Sequence, residues 1–162
     1  MSITSRHLIR GTALPIALAA ACGAAALLPA AGDAAGGKTQ TLRFFDKVVS
    51  TTLTAPDGTV VHREPAAGDT LDVVSLEYPG NHVKHAKKAT GTNHLRCVFP
   101  ATPGPPDCIS HVAFGGSMLV FEGFPGTLVL GTGTYLGATG RVIRNTDVGN
   151  NNSDVVARIT LR

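Results

Sequence analysis

The run Gly131–Val142, GTGTYLGATGRV, decides the fold. Glycines at 131, 133, 137 and 140 are threaded through Tyr135, Leu136 and Val142. A glycine inside a strand pattern marks a tight bend, a bulge or a close backbone approach. Several in one apolar segment predict a sheet bent sharply enough to curl on itself. Two nucleotide-binding readings of the run fail on spacing. A P-loop needs a Lys directly after its last Gly to reach the phosphates, and no Lys follows any glycine here. The dinucleotide fingerprint needs its third Gly three residues after the second. Gly137 comes one residue too late after Gly133, and no helix pattern follows.

Outward from this run, short strand-like segments fill the chain. Lys38–Lys47 places Leu42 and Phe44 on one face and Arg43 and Phe45 on the other. Asp57-Gly58 is a turn dipeptide before an extended stretch, Thr59–His62. In Asp69–Tyr78, Val74, Leu76 and Tyr78 alternate with Val73, Ser75 and Glu77. His94–Phe99 and Cys108–Phe114 follow, and Gly115-Gly116 separates the latter from Ser117–Glu122. After a turn at Gly123–Gly126 comes Thr127–Leu130. The last segment, Asp154–Arg162, reads as a half-buried strand, with Val155, Ala157, Ile159 and Leu161 on one face. Pro79-Gly80 opens a loop running to Thr92, and Asn145–Ser153 reads as a mobile polar turn region. No helix period is sustained after the leader. Turn signals about every ten residues predict an all-β antiparallel barrel or sandwich, and closure into a barrel removes edges that invite aggregation.

Residues 1–34 read as a secretory signal peptide. Arg6, His7 and Arg10 precede an alanine-rich apolar run that ends in small residues. Two alternatives stay open: an uncleaved membrane anchor, and lipidation at Cys22. Removing this segment leaves one domain, residues 35–162, large enough for a single core. Two of the 14 basic and one of the 11 acidic residues fall in the leader, which leaves about +2. Such a weak surplus does not argue for nucleic acid, and no later apolar run is long enough to span a membrane. Cys97 and Cys108 remain. In an exported chain an even count reads as a disulfide, here closing the proline-rich loop VFPATPGPPD. The alternative is metal ligation with His94 or His111, although structural zinc favours tight CxxC pairs.

The order of these features resembles the allene oxide cyclase-like and dirigent-like barrel group, in its bacterial secreted members. A strand ends in Phe45-Asp46. Gly68-Asp69 precedes an apolar strand ending Tyr78-Pro79-Gly80. Two cysteine-bearing strands, the Gly115-Gly116 hairpin and Glu122-Gly123 lead to the final glycine run. Leu130 stands where the group carries a first glycine. The resemblance spans the mature chain. It implies one closed antiparallel barrel of about eight strands, calycin-like, around an apolar lumen. It further implies a homo-oligomer and an isomerase or cyclase chemistry on a small hydrophobic molecule. In the plant cyclases the first strand supplies a glutamate and, two residues on, an asparagine. Asp46 falls near the first place and Val48 at the second. Valine cannot hold the water that the asparagine holds.

The candidate catalytic residues are therefore Asp46, Glu77 and Glu122, each near the end of an apolar strand. A carboxylate pointing inward would be an acid or base of shifted pKa; pointing outward it is a solvated rim charge. Phe44, Tyr78 and Tyr135 are the candidate ligand contacts, although a barrel tyrosine also serves as packing. The loop His82–Lys88 carries two His and three Lys and reads as solvated, with the attraction of an anionic partner as the alternative. His111 reads as a packed strand histidine. No metal set, cofactor motif or nucleophile elbow is visible. Three functions remain: a secreted barrel that holds a small hydrophobic ligand and steers its cyclisation, a non-catalytic carrier or cell-surface module with the same barrel, or a structural barrel whose lumen is filled by side chains.

Overall fold

The computed structural model describes residues 37–162. The leader, its cleavage and Cys22 lie outside them. Nine strands run in chain order: β1 (Thr39–Thr54), β2 (Val60–Val61), β3 (Thr70–Pro79), β4 (Gly91–Val98), β5 (Asp107–Phe114), β6 (Ser117–Glu122), β7 (Thr127–Gly131), β8 (Thr139–Gly149) and β9 (Asn152–Thr160). Each pairs antiparallel with its neighbour, except that β2 merely extends the end of β1 through Leu53↔Val61 and Thr54↔Val60. β1 then pairs with β9, and eight strands close into a barrel. The one helical element among the described residues is a 3₁₀ turn, Gly133–Tyr135. The expected all-β closed barrel is what the chain forms.

Closure rests on the length of β1. Its first half, Thr39 to Asp46, pairs with β9, and from Phe44 onward it pairs with β3. A strand of 16 residues can serve two neighbours only if it bends. It does so at a bulge between Val48 and Ser50, where the partner register shifts. The Asn152 side chain accepts from the Val48 N–H at 2.9 Å, which satisfies a donor near the bulge. Further register shifts lie in β6–β7 and β8–β9.

Two sequence expectations change. Gly131–Val142 is not one bent strand. β7 ends at Gly131, the chain turns through Gly133–Tyr135, and β8 starts at Thr139. Gly133 has φ +58, and a Cβ there would lie 2.4 Å from Ser117 Oγ. The glycines let the chain reverse tightly against the β5–β6 turn, while bulges supply the curvature. Nor is Asn145–Ser153 a free turn region. Apart from Asn150 and Asn151 it belongs to β8 and β9, and those two form a two-residue hairpin with φ 55° and 60°. Positive φ at both positions is what a type I′ turn demands, and Asn tolerates it.

The Cys97–Cys108 disulfide is present, joining directly opposed residues of β4 and β5 with Cα atoms 4.0 Å apart. Val112, Leu119, Phe121, Leu128, Ala157 and Ile159 form the buried core, and Ile159 has no exposed surface. Tyr135 and Ala138 from the β7–β8 connection and Leu161 after β9 pack against this cluster and close one end of the barrel. At the other end Asp69 is fully buried. It accepts from Arg63 Nη2 at 2.9 Å and from the Ala66 N–H at 2.7 Å, which fixes the entry to β3.

Candidate functional site

Inward residues of the barrel wall enclose a cavity of about 290 Å³. Most of its wall is apolar: Leu42, Phe44 and Val48 from β1, Leu71 and Val73 from β3, Phe114 from β5, Phe121 from β6. At the rim Phe124, in the β6–β7 turn, and Asn151, in the β8–β9 turn, contribute side chains. Phe124 is 65% exposed although it lines the cavity.

One patch of this wall is polar. Strand alternation puts Ser75 and Glu77 on the same face of β3, and register sets Asp46 directly opposite Glu77 and Val48 opposite Ser75. Cβ atoms of opposed residues lie about 5 Å apart, so the two carboxyl groups share one neighbourhood. Glu77 is 2% exposed and Ser75 1%. Asn93, opposite Ser75 on β4, donates from Nδ2 to Asp46 Oδ2 at 3.2 Å. Ser110 donates its hydroxyl to Asn93 Oδ1 at 2.8 Å. The chain Ser110–Asn93–Asp46 thus fixes one Asp46 oxygen. Three buried oxygens are left without a partner: Asp46 Oδ1, Ser75 Oγ and Glu77 Oε2.

These surroundings set the protonation. Burial pushes Glu77 well above the ordinary carboxylate range, and the neighbouring Asp46 charge adds to the shift. Burial also raises Asp46, opposed by Ser75 and Asn93 beside it. The Ser75 hydroxyl lies near enough to favour the Asp46 anion, yet its rotamer makes no hydrogen bond of acceptable geometry. Two carboxyl groups so close do not both ionise readily. Of the two, Glu77 is the group pushed more strongly toward its protonated form. Such a pair can donate a hydrogen bond from one member and accept at the other.

The sequence candidates divide by face. Asp46, Glu77 and Phe44 line the cavity, and Phe44 stacks on Phe114 with ring centroids 4.9 Å apart. Glu122 is exposed and lies outside the cavity, because Leu119 and Phe121 are the inward residues of β6. Tyr78 likewise points away from the cavity. With Phe45 and His85 it makes an aromatic cluster, Tyr78 and His85 having centroids 5.2 Å apart. His82 holds the same loop down through its backbone N–H and Nδ1, both on Asp154, at 2.7 and 2.6 Å. Tyr135 packs against the core at the closed end. Asn93, Ser75 and Ser110 belong to no motif that marks them in the sequence. The available signal was Asn93 alternating with Leu95 and Cys97, a polar residue in an inward row. Among the described residues no three His, Cys, Asp or Glu side chains gather as a metal site. No described helix is long and apolar enough to cross a membrane.

No protein-family model matches the sequence, and no curated protein matches it. Among solved structures, the chain is similar to a pterocarpan synthase dirigent protein. The two are 16% identical with a TM-score of 0.54, over 83% of this chain and 95% of that one. Identity so low speaks for the fold alone, and the fold agrees with the closed eight-strand antiparallel barrel described above. The described chain thus carries the barrel fold of the dirigent-like group.

Proposed function

We propose that this protein is an exported barrel that holds a small, largely hydrophobic molecule in its lumen and steers its cyclisation. One observation carries the reading: a closed barrel keeps an open apolar cavity with a buried carboxyl pair on its wall. A barrel with no ligand to hold can fill its interior with side chains. Here, residues that line the cavity carry buried oxygens without partners, a costly arrangement for a purely structural wall. Apolar walls confine the body of the ligand, and the polar patch fixes one end. Confinement alone speeds ring closure, because orientation entropy is lost on binding rather than in the transition state. The disulfide supports export. Exposed Val129 and Leu130 on β7 offer an apolar surface for assembly with identical copies.

The test is native mass spectrometry of protein recovered from culture medium, followed by displacement of an apolar fluorescent probe. A retained small molecule, or probe binding that Val73→Phe weakens by narrowing the lumen, is the expected result. Probe binding unchanged by the narrowed lumen would place the ligand elsewhere. Turnover of a polyene epoxide separates the cyclase from the carrier, the second reading. Equal turnover by Asp46→Ala would remove Asp46 from the chemistry.

A further inference from the structure

The lumen contains a mismatch between charge and partners. Asp46 and Glu77 are the titratable residues of its wall, and no Lys, Arg or His lines it. Elsewhere the protein gives a buried carboxylate its cation: Asp69 has Arg63. Glu77 is as deeply buried and has none. The acceptor oxygens are also specific in number. Asp46 Oδ1, Ser75 Oγ and Glu77 Oε2 are all buried, all without a partner, and all on residues lining one cavity.

The wall beside them is aromatic. In the cross-strand row Asp46–Glu77–Gly91–Phe114, the third place has no side chain. A Cβ on Gly91 would fall 2.5 Å from Phe114 Cδ1. The Phe114 ring therefore lies over Gly91, next to Glu77, and Phe44 stacks on it two residues from Asp46. Carboxyl oxygens flanked by aromatic faces are the surroundings that organic cations favour.

We infer that the lumen's ligand is an apolar primary amine, its ammonium group seated on Asp46, Ser75 and Glu77 with its carbon skeleton against Phe44 and Phe114. The inference rests on the lumen being a ligand site. An alkylammonium carries three N–H donors, which match in number the three partnerless oxygens on Asp46, Ser75 and Glu77 once those side chains turn toward the lumen. The same lumen rejects carboxylate-bearing molecules, since a further negative charge beside Asp46 would meet no cation in a desolvated space. Ser75 is a positioning partner here, while the two carboxyl groups supply the charge.

Three ligands of matched skeleton test it on the intact folded protein: phenylbutylamine, phenylbutanol and phenylbutanoate, by titration calorimetry at neutral pH. The expected order is amine tightest, by about tenfold or more over the alcohol, with the carboxylate undetectable. Amine binding should also release protons, read as a dependence of the heat on buffer ionisation enthalpy, because Glu77 ionises when the cation arrives. Glu77→Gln should erase the preference for amine over alcohol and keep alcohol binding. Asp46→Asn makes the same measurement should the first variant not fold. Equal affinity for amine and alcohol, or tighter binding of the carboxylate, overturns the amine assignment and leaves the lumen site standing. Binding of none of the three overturns the lumen site itself.

Discussion

At the scale of single residues, Glu77 sets the terms. Its carboxyl is held well above its ordinary pKa, first by burial and then by Asp46. An acid whose folded pKa exceeds the unfolded one stabilises the fold below the unfolded pKa, and that stability is lost as pH rises through the folded pKa. Glu77 therefore costs stability at neutral and alkaline pH. We expect Glu77→Gln to melt at a higher temperature than the native protein at alkaline pH, with the gap closing as pH falls toward about 4, the unfolded value. Calorimetric melts across pH check this, and a constant gap would show that the change is one of packing. Asp69 has the opposite sign. Hydrogen bonding to Arg63 lowers its pKa, so its contribution is present above the unfolded value and lost as pH falls through the folded one. Arg63→Met should therefore lower stability at neutral pH and flatten the acid limb, read by the same calorimetric melts. Whether Glu77 faces inward was not legible in the sequence, and β3 shows why. Its outward residues Val74, Leu76 and Tyr78 are as apolar as inward Leu71 and Val73. Alternation gave two sets without saying which faced the lumen. The same ambiguity on β6 made Glu122 look equivalent to Glu77.

At the scale of elements, the strands were legible wherever alternation was clean, as in β9 and β3, and misread where polarity disguised pairing. Asn145 to Asp147 look like loop residues, yet they pair with β9 because the barrel must close, and closure demands partners whatever the side chains. The β8–β9 turn offers a direct check on that reading. Asn150 and Asn151 both hold positive φ, which Asn bears at some cost and β-branched residues bear badly. Asn151→Gly, giving the preferred Asn-Gly turn, should stabilise by about 0.5 kcal/mol, and Asn150→Val should destabilise by about 1–2 kcal/mol. Urea unfolding midpoints at unchanged slope measure both. If Asn150→Val is neutral, the hairpin is not a type I′ turn. The disulfide acts at the same scale, between opposed residues of β4 and β5 eleven apart in sequence. Replacing both cysteines by Ala should cost about 2–3 kcal/mol through the freed loop.

At the scale of the whole molecule, one barrel serves two tasks at different places. Ile159 and Leu128 belong to the packed core and do not line the cavity, whereas Val73 lines the cavity and lies outside the core. The closed end is a continuous hydrophobic plug, supported from below by Tyr135, Ala138 and Leu161. The family resemblance anticipated a closed barrel with an apolar lumen. It could not anticipate how the interior divides between plug and cavity, because both are built from the same inward-facing apolar residues. The division makes a separable prediction. Ile159→Ala removes side-chain volume from a site with no exposed surface and should cost about 2–5 kcal/mol, leaving probe affinity in the lumen within about twofold. Val73→Phe should weaken probe binding at little cost in stability, because the new ring enters existing space rather than a packed core. Combined in one chain, the two stability changes should add within about 0.5 kcal/mol, as independent sites do. A larger coupling would mean that plug and lumen are one packing unit, and that ligand binding reaches the fold through the wall they share, Leu119, Phe121 and Ala157.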